Sequence, residues 1–277
     1  MRRVPLLALL ALAACSKAPT GSAPHQIHVA GSIAGYPLST EVAERLMRED
    51  PHVLAPLVRA GGTGEGLARF CDPDNPTRPD VLVTTRKLTA DEQARCAANG
   101  STDIEQKEIG TTAVVLVEAK GAPPIDGLTR IDIASALTSR AKTWADVRAG
   151  LPAISIAIHG PTPTPAIADT LYGPILQDGQ QVRADGAYTG HGADAERVVR
   201  IVAAKPGTIG IVPLAQAIGH RDSLTAIPLG DVARMPLFLV TRPKTSGEIP
   251  GLDRLMSYYR DALAKPRPEL QSPDVTE

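Results

Sequence analysis

Three short stretches of this 277-residue chain bring together groups that suit an anion: Gly31-Ser32 and Gly62-Thr63-Gly64-Glu65-Gly66 set glycine beside a hydroxyl, and Thr84-Thr85-Arg86 sets two hydroxyls beside a guanidinium. A helix start leaves backbone N–H groups unpaired and carries a partial positive charge, and glycine lets an anion approach that backbone closely. Thr63 adds a hydroxyl donor. Arg86 adds a permanent cation whose forked donors match an oxyanion. Together they describe a cradle for a small oxyanion, with Ser32, Thr63, Gly64, Thr85 and Arg86 as its ligand-binding residues. Glu65, in the first turn of the same helix, complements the helix dipole.

Such a cradle needs three strands ending side by side. Ile27 to Ala30, His52 to Leu57 and Asp80 to Thr84 read as β runs, the second containing Pro56. Helical patterns follow at Thr40 to Asp50, after the glycine turn through Leu67 and Phe70, and at Ala90 to Asn99. This βαβαβ rhythm predicts a parallel sheet with helices on its faces. Thr111 to Glu118 is the strongest strand. A second block follows Ala122-Pro123-Pro124: helices at 131–138, near 144, at 166–176 and 194–204, and strands at Ile154 to Ile158 and Ile209 to Val212. Leu224 to Pro228 and Met235 to Thr241 return as strands, and Leu252 to Leu263 closes as a helix. The order predicts two α/β lobes joined by more than one crossing, 26–119 with 222–265 and 120–221, followed by a flexible tail at 266–277. Open parallel sheets bind ligands beyond the carboxyl ends of their strands, so the cleft between the lobes is the expected site.

Hydrophobic residues make up 43% of the chain, ample for a core, and 29 basic against 30 acidic residues leave a net charge of −1. No basic stripe or tail argues for nucleic acid. Aromatics, at 3%, are too few for base-stacking platforms. The amino terminus reads as a processing signal at 1–14: Arg2 and Arg3, the apolar stretch Leu6 to Leu12, then Leu12-Ala13-Ala14-Cys15. That box resembles a bacterial lipobox, which implies lipidation at Cys15, a linker over 15–25, and a chain held to the membrane by acyl groups alone. Cys71 and Cys96 remain, an even number in an exported chain. Their disulfide would close a loop of about 25 residues and stabilise by about 3 kcal/mol on the chain-entropy estimate. No metal-ligand spacing and no cofactor motif is present.

From Gly31 to about Pro250 the chain resembles the phosphate-binding proteins of bacterial ABC uptake systems. The runs G-G-T-G-E-G-L-A-R-F-C, E-Q-A-R-C-A-A-N-G, K-T-W-A-D-V, H-G-P-T-P-T, R-A-D-G-A-Y and K-P-G-T-I-G-I occur in that family's order at similar spacing. The resemblance implies a two-lobe type II periplasmic binding protein fold, each lobe a central β-sheet flanked by helices. It also implies a lipid-anchored monomer on the periplasmic face of the cell envelope, binding inorganic phosphate or a similar oxyanion and delivering it to an ABC transporter permease.

Two stretches depart from the family. Its opening G-S-S-T is here G-S-I-A, so Ile33 and Ala34 replace hydroxyl residues. Its second-lobe S-G-T-R-D is here Pro165-Ala166-Ile167-Ala168-Asp169. Each lost charge-assisted donor forfeits about 1.5 to 3 kcal/mol, so three weaken an anion site by several powers of ten. Thr162 and Thr164 substitute if their loop bends inward, and Thr164 joins the ligand-binding set; a protonated His159 would contribute charge. Asp185-Gly186 near Tyr188 either shapes the cleft or turns the chain. The departures leave open an alternative, an accessory or interaction lipoprotein that keeps the scaffold without the ligand. G-x-S-x-G, H-E-x-x-H and a Walker-type lysine are absent, which argues against an enzyme.

Overall fold

The fold was read from a computed structural model that describes residues 25–122, 125, 127–164, 172, 175–176, 180–227, 234–243 and 249–264. Strands β1 (His28–Gly31), β2 (Leu57–Ala60) and β3 (Val81–Thr84) run parallel in the order β2-β1-β3. Helix α1 (Tyr36–Glu49) links β1 to β2 and α2 (Thr63–Phe70) links β2 to β3. Pro37 near the start of α1 costs nothing, since an N–H there has no helical acceptor. Leu38, Val42 and Leu46 recur at four-residue intervals and bury one face of that helix. Helix α3 (Ala90–Ala98) opens with a capping box in which Thr89 and Glu92 satisfy each other's backbone N–H groups.

Strand β4 (Glu105–Ala119) is the spine of the molecule. Its residues 105–113 pair antiparallel with β9 (Arg234–Thr241), which pairs in turn with β3. From Val114 onward the same strand pairs with β7 (Ile209–Pro213) and β8 (Leu224–Ile227), while β5 (Ile158–Gly160) and β6 (Tyr188–Gly190) extend that half in parallel with β7. One nine-stranded sheet results, ordered β2-β1-β3-β9-β4-β7-β5-β6, with β8 beside β4. Helices α4 (Arg130–Thr138), α5 (Trp144–Val147), α6 (Ala195–Ala204) and α7 (Leu214–Gly219) belong to the second half, and α8 (Leu252–Ala264) returns to pack on α1.

Alternation along the strands builds a core on each face. Val81, Val83, Leu237 and Leu239 pack with Val42, Leu46, Leu255 and Tyr259, whereas Leu82 and Val240 pack on the other side with Leu67, Phe70 and Cys96. In the second half Leu116, Ile209 and Ile211 meet Ile133, Leu137 and Trp144, and Val117 and Val212 meet Val198, Val199 and Val202. Cys71, just past α2, and Cys96 on α3 are paired at disulfide distance, their Cα atoms 4.7 Å apart.

Several elements differ from the sequence expectation. The second strand begins at Leu57 and runs to Ala60, because Pro56 cannot donate to a ladder and Leu57 N–H is the first to reach Ile27 O, at 2.8 Å. The strand expected at 154–158 appears at Ile158–Gly160; of the earlier residues Ser155 makes only an isolated bridge to Thr143. Strand β6 and helix α7 have too few periodic residues to be read from sequence, and most of the helix expected at 166–176 lies outside the described residues. The exchange of sheet partners falls at Ala113 and Val114 and again between β8 and β9. A continuous 15-residue strand gives no local signal of where its neighbours change.

Candidate functional site

Backbone contacts stitch the ends of β1, β2 and β3 into one surface. A Cβ built on Gly31 would stand 2.0 Å from the Val83 carbonyl oxygen, and one built on Gly66 would stand 3.1 Å from Gly31 Cα; the Gly31 φ of 139° also excludes other residues. Ser32 N–H donates to Val83 O at 2.8 Å, and Gly61 and Gly62 N–H both donate to Gly31 O at 3.1 and 3.0 Å. Gly62 enters α2 with φ 98°. The three turns picked out in the sequence therefore sit side by side at the carboxyl edge of the parallel strands.

Within that edge Ser32 is buried and its Oγ accepts from Ala34 N–H at 3.2 Å, capping the short 3-10 turn Ile33–Gly35. Thr63 opens α2 at 1% exposure, and its Oγ1 is buried with no hydrogen-bond partner among the described residues. Gly64 beside it faces open space. The N–H groups of Thr63, Gly64 and Glu65 have no acceptor inside the helix, as at any helix start. Thr85 is buried at the end of β3, next to Thr84, whose hydroxyl donates to Arg86 O at 2.8 Å.

Arg86 is held in an ion pair within its own half. Its guanidinium donates twice to the Glu92 carboxylate, both at 2.7 Å, and once to Lys87 O. The Arg86 hydrogen bonds, aided by Thr89 N–H and opposed by burial, hold the Glu92 carboxyl at about 2, well below the usual carboxylate range. A forked pair of this kind neutralises the cation locally, so Arg86 brings little net charge to the cradle. The signal was legible: Thr89-x-x-Glu92 is a capping box, which fixes the Glu92 carboxylate one turn from Arg86.

At the other half, the loops after β5 and β6 tie to each other. Thr162 N–H donates to Gly192 O at 3.0 Å, and Gly192 N–H donates to Thr162 Oγ1 at 2.8 Å. Thr162 therefore serves the loop, and Thr164 is exposed in the second half, with no hydrogen bond to the first-half turns among the described residues. Residues 165–169, where the family motif departs, lie outside the described residues. His159 is half-buried, with Nδ1 2.8 Å from His191 Nε2. Ring planes only 18° apart with centroids at 5.1 Å place the rings head-on, one nitrogen donating to the other. Burial lowers the pKa of both; beyond burial, His191 and Lys205 lower His159, and Arg197 lowers His191 against the opposing Asp194. Asp185 is bound to Arg183, and Tyr188 donates to Pro161 O.

Between the halves runs a cleft of about 560 Å³. One wall carries Tyr36, Arg59, Gly61, Glu65 and Arg69; the other carries Ala193 to Glu196 and Gln216. Arg69 pairs with Glu65 at 2.9 Å. Arg59, exposed on β2, makes no ion pair among the described residues. Its strand, Leu57–Ala60, carries no glycine or hydroxyl that would mark Arg59 as a ligand residue in the sequence. Ile33 and Ala34 are buried in the second-half cluster with Leu116, Ile209 and Ile211, and Thr112 Oγ1 donates to Ala34 O at 3.2 Å. The two side chains that replace hydroxyls thus pack across the junction of the halves.

A family model described as the PBP superfamily domain matches residues 18–237. The chain belongs to the PBP superfamily. Its curled central sheet flanked by helices is the type II periplasmic binding protein fold, with β4 and β9 shared at the junction. No curated protein matches the chain. Among solved PBP-fold structures, a candidate phosphate ABC transporter substrate-binding protein from Clostridium perfringens, with bound phosphate, superposes with a TM-score of 0.62 at 15% identity, covering 84% of this chain and 92% of that one. A candidate phosphate-binding protein from Planctomyces limnophilus gives 0.56 at 21% identity, covering 91% and 100%. The regulatory domain of MetR, a LysR family regulator from N. meningitidis, gives 0.55 at 11%, covering 85% and 92%. At these identities the likeness is one of PBP fold. Among the described residues no helix is long and apolar enough to cross a membrane.

Proposed function

We propose that this chain is a solute-binding protein of the bacterial cell envelope that takes phosphate or a similar small oxyanion at the strand-end turns of its first lobe. The observation that carries the reading is Thr63: a hydroxyl at the amino end of α2, buried and without a partner among the described residues, beside backbone N–H groups that the helix leaves unpaired. Ser32 and Thr85 follow it in turn at the ends of β1 and β3, and membership of the PBP superfamily, with phosphate-binding proteins among its fold neighbours, supports the same ligand class. Lipidation at Cys15 would tether a monomer to the membrane, and closure of the lobes around the anion would present a surface to an ABC permease.

Calorimetric titration of the delipidated protein with phosphate, with sulfate for comparison, tests the proposal. Saturable heat and a raised melting temperature are expected; neither at millimolar phosphate removes the oxyanion reading. A second reading, an interaction lipoprotein without a ligand, is favoured by the pairing of Arg86 with Glu92 and by the apolar junction at Ile33 and Ala34. Capture of a stable envelope partner in phosphate-free buffer by protein that gives no heat would select it.

A further inference from the structure

Accepting the oxyanion reading, we infer that the solute also carries a cationic amino group, and that the acidic second-lobe wall of the cleft receives it. The cleft adjoins the cradle through Gly31, Gly61 and Gly66, and its 560 Å³ far exceeds a bare anion's need. A water occupies about 30 Å³ of liquid, so an orthophosphate of five heavy atoms takes at most about 150 Å³. Clefts of several hundred Å³ suit organic ligands.

The charges lining it are two arginines, Arg59 and Arg69, against three carboxylates, Glu65, Asp194 and Glu196. They are sorted by wall. Both arginines belong to the first lobe, where Glu65 already engages Arg69 and leaves Arg59 for an anion. Among the described residues, the polar side chains of the second-lobe wall are Asp194, Glu196 and Gln216. Asp194 uses one oxygen to cap α6, accepting Arg197 N–H at 2.9 Å, and Glu196 uses Oε1 for Gln216 and His220. No hydrogen bond reaches the second oxygen of either carboxylate among the described residues. A plain dianion entering here meets a net negative lining, whereas a molecule with an amine at its far end meets complementary charge at both ends. The acidic wall, in the lobe where the family's own anion motif has been replaced, thereby acquires a use.

Binding of phosphoethanolamine, ethyl phosphate and inorganic phosphate to the purified protein, measured by calorimetry at one pH and ionic strength, tests the inference. Phosphoethanolamine should bind at least tenfold more tightly than ethyl phosphate, and Asp194→Asn with Glu196→Gln should bring the ratio within about twofold. Asparagine keeps the helix cap, so the variant retains α6. Equal affinities for the amine and its plain ester overturn the amino-group inference while leaving the oxyanion reading intact. A preference that survives in the double variant overturns the assignment to this wall. Absence of binding by all three ligands overturns the oxyanion reading itself, and the inference with it.

Discussion

Replacing Thr63 by valine should separate stability from binding, because the hydroxyl is buried at 1% exposure without a partner among the described residues. An unsatisfied buried hydroxyl costs about 1–3 kcal/mol, and valine has the same shape without the polar atom. No cap hydrogen bond is lost with it, since Gly62 is the N-cap and the Thr63 hydroxyl makes none, so Thr63→Val should stabilise the ligand-free protein by about 1 kcal/mol or more. For a chain of this size that raises the melting temperature by about 2–4 °C. Toward phosphate the sign reverses. A hydroxyl donating to an anion contributes about 1.5–3 kcal/mol, so affinity should fall roughly ten- to hundredfold. Thr63→Ser, which keeps the donor, should bind within a few-fold of the parent. Thermal denaturation in phosphate-free buffer and calorimetric titration of the three proteins supply both readouts. Loss of about 1 kcal/mol or more in ligand-free Thr63→Val would show that the hydroxyl already has a partner in the protein, and unchanged phosphate affinity would remove it from the site.

The remaining expectations concern the surrounding framework. Because both His159 and His191 have lowered folded pKa values, their contribution to stability is present above the ordinary histidine value of about 6.5 and is lost as pH falls below it; denaturant unfolding from pH 8 to 5 should show the loss, and His159→Gln with His191→Gln should flatten it, an unchanged slope counting against the pair. Glu92, held at about 2 against an ordinary 4.5, stabilises above pH 4.5 and loses that contribution between 4.5 and 2. The shift corresponds to about 3 kcal/mol, reduced to about 1–2 kcal/mol by solvent screening of Arg86, whose side chain is 34% exposed; Glu92→Gln should cost that much at pH 7 and little at pH 2. Gly31→Ala should destabilise by at least about 2 kcal/mol, since its Cβ would collide with Val83 O at 2.0 Å and its φ is positive, whereas Gly64→Ala, into open space on a helix, should be neutral or stabilise by up to about 1 kcal/mol; equal effects at the two positions would contradict the close packing of the strand ends.

What sequence settled was local. The βαβαβ rhythm through residue 99, the apolar stripe of α1 and the glycine turns are recorded in side-chain periodicity and in residues that alone tolerate certain backbone angles, and strand alternation already separated Val81 and Val83 from Leu82. Parallel strands then had to place Gly31, Thr63 and Thr85 at one edge, because each right-handed crossover returns the chain to the same end of the sheet. Tertiary structure alone decided the electrostatics and the junction. Arg86 met Glu92, Arg59 came to line the cleft with no ion pair among the described residues, His159 found His191 across 32 residues, and Ile33 was drawn into the second-lobe core. The physical reason is that charge and packing partners are fixed by distance in space, and β4 brings together neighbours that no local pattern of residues encodes.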